Sequence, residues 1–403
     1  MEILVLKFGG TSVGSTNRIS AVADIVKNTL NEAFPVVVVS AMSGETDRLI
    51  NLAHSFGSDP NIREFDALIS TGEKVSASLL SIALNQLGLK AKSLSAAQVG
   101  MKTTAQFSRA KILDLNNDII FTTIKDGYIP IITGFQGITD GGDTTTLGRG
   151  GSDTTAVAIA ASIKAKRCDI YTDVDGIYTT DPRIVPEAKK LDSITMEEML
   201  ELAGQGAKVI QIRAVEFANK YQVPVRILSS FEPGSGTLIL QEEEGMEDAI
   251  ITGIASQSDL TKFTLHGVVD TPGIASGILS PVSDEGIEVD VIVQNVSVTG
   301  KTDFTFTVAT NDRSQVEKVL KDKMTGISYD ELIIDEGIGK VSLVGVGMRS
   351  HAGIASTAFN ALADAGINIQ MISTSEIKIT IVIDVNQLED AVKTLHKAFN
   401  LDK

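Results

Sequence analysis

The C-terminal part of this chain uses one unit twice. At an offset of 80 residues, Gly273-Ile274-Ala275-Ser276 aligns with Gly353-Ile354-Ala355-Ser356, Gly267 with Gly347, Asp284 with Asp364, Gly286-Ile287 with Gly366-Ile367 and Ile292 with Ile372. Each copy reads strand, tight loop, helix, glycine, strand. A repeat kept in register over a whole supersecondary unit means stacked copies of one small module. The expectation is two α+β modules, about 263–338 and about 341–403, with 250–262 available to complete the second. An acidic stretch, 241–249, separates them from the first 240 residues.

Those first 240 residues follow another rule. Residues 3–6 are a short apolar run, broken by Lys7-Phe8-Gly9-Gly10-Thr11-Ser12. Capping residues Ser15-Thr16-Asn17 follow, then Ile19, Val22, Val26 and Leu30 at helical spacing, then the apolar run 36–39. Strand, glycine loop, helix, strand is how a parallel α/β sheet begins. Polar loops recur after apolar runs: Ser40 to Thr46 after 36–39, Gly134-Phe135 after 130–133, and Thr172-Asp173 after 168–171. In open α/β sheets ligands bind beyond the carboxyl ends of the strands. A helical region over 195–221 opens with Thr195 and Glu198 spaced as a capping box and is broken at Gly204 and Gly206; 223–228 reads as a last strand.

One loop carries more chemistry than the rest, TTTLGRGGSDTT (144–155). Arg149 is a fixed cation whose planar fork suits a carboxylate or phosphate. Gly150 and Gly151 stand where the loop enters an alanine-rich, apolar helix, so free backbone N–H groups and the helix dipole favour an anion there. Ser152 adds a hydroxyl, and Asp153 a carboxylate able to hold an ammonium or Mg²⁺. Lys7, ending the first strand before Gly9 and Gly10, suits the β- and γ-phosphates of a nucleotide. Both features also suit ordinary turns, so their weight comes from occurring together.

Composition removes several classes. The chain has 403 residues, 43% of them hydrophobic, enough for two or three cores. A net charge of −16 without a basic cluster argues against nucleic-acid binding. One cysteine, Cys168, allows no intrachain disulfide, and the four histidines share no ligand spacing, so no metal ligands are assigned. The opening apolar run is too short for a signal peptide, and no apolar stretch is expected to span a membrane. There is no GxxxxGK[ST] phosphate loop and no GxSxG elbow, and the Asp173–Asp175 region lacks calcium-loop spacing.

Six motifs in order give the chain a resemblance to the aspartate kinases of the amino acid kinase family. They are KFGGTSV (7–13), SAMSGET (40–46), STGEKVSA (70–77), TLGRGGSDTTA (146–156), TDVDGIYTTDPR (172–183) and GAKVIQIRAVEFA (206–218), and the C-terminal repeats resemble that family's paired ACT modules. One departure is Asp47, where the family more often has Asn. The resemblance implies an α/β fold, with an N-terminal αβα sandwich on a mostly parallel sheet (1–240) and two βαββαβ ACT-like modules (250–403). It implies transfer of the γ-phosphoryl of MgATP to the side-chain carboxylate of L-aspartate, at the head of the lysine, threonine, methionine and diaminopimelate route.

By the same resemblance Lys7, Arg149 and Asp153 carry catalysis. Lys7, Phe8, Gly9, Gly10, Ser12, Thr172, Asp173, Tyr178, Asp181, Arg183 and Lys208 face ATP. Ser40, Thr46, Glu73, Arg149, Gly150, Gly151, Ser152 and Asp153 face aspartate. An effector, lysine or threonine, is expected at Asp270, Thr271, Pro272, Gly273, Ile274, Ala275, Gln294 and Asn295, with Ile354, Ala355, Asn368 and Ile369 of the second module. A cytoplasmic homo-oligomer, a dimer through the ACT modules, is implied, with no membrane or nucleic-acid partner and no fused homoserine dehydrogenase. Met246 after the linker is a candidate internal start for a short subunit holding both modules. Two alternatives stay open: a family member acting on glutamate, N-acetylglutamate or UMP, and a catalytically silent amino-acid sensor.

Overall fold

The computed structural model describes residues 2–207, 209–241, 250–295, 300–324 and 326–403. They form two compact units. The first takes 2–178, 190–204 and 209–241; the second takes 179–189, 205–207 and the described residues from 250 onward. The 242–249 stretch, with Met246, and Lys208 lie outside the described residues.

In chain order the first unit holds β1 (Ile3–Phe8), α1 (Thr16–Thr29), β2 (Phe34–Val39), α2 (Glu45–His54), α3 (Ile62–Ile69), α4 (Thr71–Gln86), β3 (Ala91–Leu94), β4 (Met101–Thr103), β5 (Ile112–Leu115) and α5 (Asp118–Lys125). It continues with β6 (Ile129–Thr133), β7 (Gln136–Ile138), β8 (Thr144–Thr146), α6 (Gly151–Ser162), β9 (Arg167–Thr172), β10 (Ser193–Thr195), α7 (Met196–Gly204), α8 (Ile212–Tyr221), β11 (Val225–Ser229) and β12 (Thr237–Leu240). The main sheet has eight strands in the order β10-β12-β11-β9-β1-β2-β6-β3, parallel except at β11–β12. Its central strands are buried on both faces, as parallel strands under two helical layers must be. Leu4, Leu6, Phe8, Val37 and Val39 pack on α1 and α4. Alternation sends Lys7 to the opposite face, where α6 lies against β1, β2 and β9.

Helix α6 is buried over its first ten residues, as its apolar, alanine-rich composition demands. Ser15 caps α1 through Arg18 N–H. Thr195 and Glu198 make the reciprocal bonds of a capping box, with Glu198 N–H donating to Thr195 Oγ1 (3.2 Å) and Thr195 N–H to Glu198 Oε2 (3.1 Å). A second sheet, four-stranded in the order β5-β4-β7-β8 and absent from the sequence reading, carries the chain from β6 into the 144–155 loop. One expectation is corrected. Ile62–Gln86, spanning α3 and α4, is a 25-residue run long and apolar enough to cross a membrane, but half of its apolar window is buried and α4 packs on α1, β3 and β6.

The second unit holds β13 (Gly253–Val269), α9 (Ile274–Asp284), β14 (Ile292–Gln294), β15 (Lys301–Ala309), α10 (Arg313–Lys323), β16 (Glu331–Val344), α11 (Ile354–Asp364), β17 (Met371–Thr374), β18 (Lys378–Asp384) and α12 (Leu388–Ala398). Its single antiparallel sheet runs β14-β15-β13-β16-β18-β17. The repeat is visible in the backbone. Gly273 and Gly353 cap α9 and α11 at φ 94° and 91°, a region where only glycine is unstrained. The two modules share their long strands: residues 260–269 of β13 pair with β15 and β16, whereas 253–257 pair with β16 alone.

Candidate active site

The carboxyl ends of β1, β2, β6, β9 and β11 face one edge of the main sheet, because these strands are parallel. Lys7 is buried there. Its Nζ lies 2.6 Å from Asp153 Oδ1 in the first turn of α6, both side chains one-tenth exposed. Asp153 is therefore committed to Lys7, and fixes the ammonium at the strand ends.

The two glycines after β1 differ. Gly9 N–H donates to Tyr171 O (3.1 Å), so it is not free for a phosphate as the sequence pattern suggested; Gly10 N–H makes no such bond among the described residues. Gly10 O accepts from Ser43 N–H (3.1 Å), which ties the first loop to the second. Phe8 is fully buried and stacks on Tyr171 at 4.7 Å, so only its backbone can face a ligand. Ser12 is also buried; its Oγ lies 3.4 Å from Tyr171 O and accepts from Ser230 Oγ (2.8 Å), tying the ends of β1, β9 and β11 together.

Glu73 sits in the first turn of α4 and is 3% exposed. Its Oε1 accepts from Ala41 N–H (3.1 Å), and its Oε2 has no hydrogen-bond partner. Burial pushes its carboxyl up to about 8 from the usual 4.5. Ser40 O accepts from Ser76 Oγ (2.6 Å), and Gly72 leaves room for the contact: a Cβ there would stand 2.7 Å from Ala41 Cβ. Thr46 lies in the first turn of α2.

Arg149 is exposed and makes no hydrogen bond or ion pair with a described residue, although its loop is tightly held. Gly150 is the left-handed cap of α6 (φ 67°), where a Cβ would overlap Gln211 Cγ at 1.6 Å. Gly151 N–H is taken by Gly148 O (3.0 Å), leaving the Ser152 amide without a bond among the described residues. Ser152 itself is buried against the backbone of Gly134.

Of the expected nucleotide residues, Thr172 Oγ1 donates to Asp173 Oδ1 (3.0 Å), and Tyr178 OH donates to Asp175 Oδ1 (2.9 Å), which also pairs with Lys190. Asp181 and Arg183 pair with each other at 2.7 Å, within the 179–189 segment of the second unit. In the second unit a cavity of about 500 Å³ is lined by Asp270, Thr271, Pro272, Gly273, Ile274, Ala275 and Gln294. Asn295 adjoins it, its carbonyl accepting from Thr302 Oγ1 (2.6 Å). Ile354 and Ala355 are the repeat counterparts of Ile274 and Ala275, and neither they nor Asn368 and Ile369 line this cavity.

Known proteins share this arrangement. Residues 2–229 match the model of the amino acid kinase family, and residues 265–323 and 341–399 each match an ACT domain model. An aspartate kinase of Pseudomonas fluorescens is 55% identical over 406 residues, covering 100% of this chain and 98% of that protein. An aspartokinase of Helicobacter pylori is 47% identical with 100% of both covered. The structure of E. coli aspartokinase III in complex with aspartate and ADP matches with a TM-score of 0.84 at 27% identity, covering 98% of this chain and 99% of that one. The chain belongs to the amino acid kinase family, and within it to the aspartate kinases that carry a pair of ACT domains. It is accordingly an ATP-using enzyme with ACT regulatory domains.

Proposed function

We propose that this enzyme moves the γ-phosphoryl of MgATP onto the side-chain carboxylate of L-aspartate, giving 4-phospho-L-aspartate for the lysine, threonine, methionine and diaminopimelate route. The observation carrying the reading is a pair of unsatisfied side chains at one sheet edge: Arg149, without a partner among the described residues, and Glu73, whose buried Oε2 has none. They suit the two ends of an amino acid. Arg149 takes the α-carboxylate through its fork, and Glu73 takes the ammonium. Asp153, already paired with Lys7, is a positioning group for that ammonium. The acceptor carboxylate is ionised near neutrality, so no general base is needed; the chain's work is positioning and charge neutralisation by Lys7 and the Gly10 amide. Ser40, Thr46 and the Ser152 amide lie at the loops and helix starts that would hold substrate oxygens, and Thr172, Asp173 and Tyr178 on the nucleotide side.

Among the described residues no group of three His, Cys, Asp or Glu could hold a metal. Mg²⁺ then comes as the nucleotide's own chelate, with phosphate and water oxygens around it.

Lysine or threonine is the effector proposed for the cavity at Asp270–Gln294; a solved relative, E. coli aspartokinase III, has been seen with lysine and aspartate. A dimer through the ACT modules is supported by the open sheet edges. Ile292 on β14 and Ile372 on β17 are repeat-equivalent, on opposite edges, and 47% and 42% exposed. A second, shorter subunit starting at Met246 would contain both modules whole, and intact-mass analysis of the untagged gene product tests it. A cytoplasmic setting fits a free buried thiol, Cys168.

The reaction is tested by following ADP formation with aspartate, glutamate, N-acetylglutamate and UMP offered in turn, and by trapping any acyl phosphate with hydroxylamine. ATP-dependent aspartyl hydroxamate supports the reading. Turnover with another acceptor alone, or binding of amino acids without turnover, would contradict it.

A further inference from the structure

Another buried carboxylate lies in the first unit, and none of the site motifs contains it. Asp66, in α3, is fully buried. One of its oxygens takes two N–H groups and the other takes two O–H groups. Oδ2 accepts from Thr146 N–H (2.7 Å) and Ser108 N–H (2.8 Å); Oδ1 accepts from Thr146 Oγ1 (3.0 Å) and Ser108 Oγ (2.9 Å). Four donors from two distant segments satisfy one carboxylate, which offsets the cost of burying its charge. Thr146 stands three residues before Arg149.

The next bonds along the chain complete a clamp. Thr146 O accepts from Ala110 N–H (3.0 Å), and Leu147 N–H donates to Phe135 O (2.9 Å). Leu147 O accepts from Arg213 Nη1 (2.5 Å), whose Nη2 also donates to Ala110 O (3.1 Å). Every backbone polar group of residues 146 and 147 thus has a fixed partner, with an anion on one side and a cation on the other. Ser108 is held at φ 64°, unusual for a residue with a Cβ, and its carbonyl stands where a Cβ on Gly148 would come within 2.9 Å. The next side chain of this tied backbone is Arg149, exposed and without a partner among the described residues.

We propose that Asp66 is a positioning residue for the amino-acid substrate, acting through the 146–148 backbone to aim the Arg149 guanidinium; this rests on the assignment of Arg149 to the substrate carboxylate. It predicts a specific coupling. Losing Asp66 matters for aspartate as long as Arg149 is present to be misaimed, and little once Arg149 is gone.

The test is a double-mutant cycle on the full-length enzyme: wild type, Asp66→Asn, Arg149→Ala and the double variant, each with KM for aspartate, KM for ATP, kcat and Tm measured. Asp66→Asn should raise KM for aspartate by roughly tenfold or more and leave KM for ATP within about twofold. On the Arg149→Ala background the same change should move KM for aspartate by less than about twofold. An equal effect on both backgrounds, or parallel rises in both KM values, overturns the proposal while leaving the substrate reading intact. An Arg149→Ala enzyme with unchanged KM for aspartate overturns the substrate reading and the proposal with it. Should Asp66→Asn fail to fold, Thr146→Val removes one O–H donor and keeps the shape. It should raise KM for aspartate selectively, and Thr146→Ser should restore it; a normal KM in Thr146→Val overturns the proposal.

Discussion

Two charged residues at the sheet edge are held in opposite ways. Lys7 is buried against Asp153, which fixes its direction. Such a group acts as a preorganised donor to charge that grows on the transferring phosphoryl. Lys7→Ala should lower kcat by about two to three orders of magnitude while the protein stays folded, as steady-state kinetics beside circular dichroism will read. Near-normal turnover in a folded variant removes Lys7 from the chemistry. Glu73 is buried with one oxygen unpartnered, and burial raises its carboxyl to about 8. The empty fold therefore keeps a proton that the unfolded chain gives up above its usual 4.5. That contribution to stability is full below 4.5 and is lost as pH rises towards 8. An arriving ammonium reverses the preference. Aspartate binding near neutral pH should expel close to one proton per site, read by calorimetry in two buffers of different ionisation enthalpy, and Glu73→Gln should abolish the release. Binding without proton release would take the ammonium away from Glu73.

The elements place these residues through close approaches of backbone. Helix α4 brings Glu73 to the loop after β2 because Gly72 has no Cβ. Alanine is intrinsically the better helix former by about 1 kcal/mol, yet its methyl would stand 2.7 Å from Ala41 Cβ. Gly72→Ala should thus destabilise the protein by roughly 1–3 kcal/mol in urea denaturation and raise KM for aspartate. Added stability would show that this contact yields freely. Much at this scale was legible. Apolar runs marked the buried strands, the all-apolar stretch after Gly151 marked a helix buried all round, and Thr195 with Glu198 marked a helix start. What was missed has physical reasons. Strands β4, β5, β7 and β8 are three or four residues long, too short to show a period. Asp66 reads as an ordinary helix-surface charge, since its partners lie 42 and 80 residues away and leave no local mark. The commitment of Gly9 N–H to Tyr171 O depends on a strand pairing no local motif reports.

For the whole molecule, the sequence repeat carried the furthest. It marked α9 and α11 and their glycine caps. It did not show that β13 and β16 each serve both modules, because a strand that changes partners midway keeps its alternation throughout. Nor did it show that 179–189 and 205–207 belong to the second unit. His396 of α12 is buried beside Thr179 Oγ1 (3.0 Å), and Gln205 accepts from Ser342 Oγ (3.0 Å); both pairs join residues far apart in sequence. An effector in the cavity at Gln294 shifts activity only through unequal affinity for two states. Gln294→Ala should relieve inhibition by lysine or threonine, singly or together, with uninhibited turnover largely intact, as dose–response curves will read. Unchanged inhibition places the effector elsewhere.

The central claim is that an unpartnered guanidinium, on a loop fixed at a helix entrance, receives the α-carboxylate of aspartate. Arg149→Lys keeps the charge and removes the fork. Kinetics with each substrate varied in turn should give a KM for aspartate raised by about tenfold or more and a KM for ATP changed by less than about twofold. Equal changes for both substrates, or none, would contradict the account.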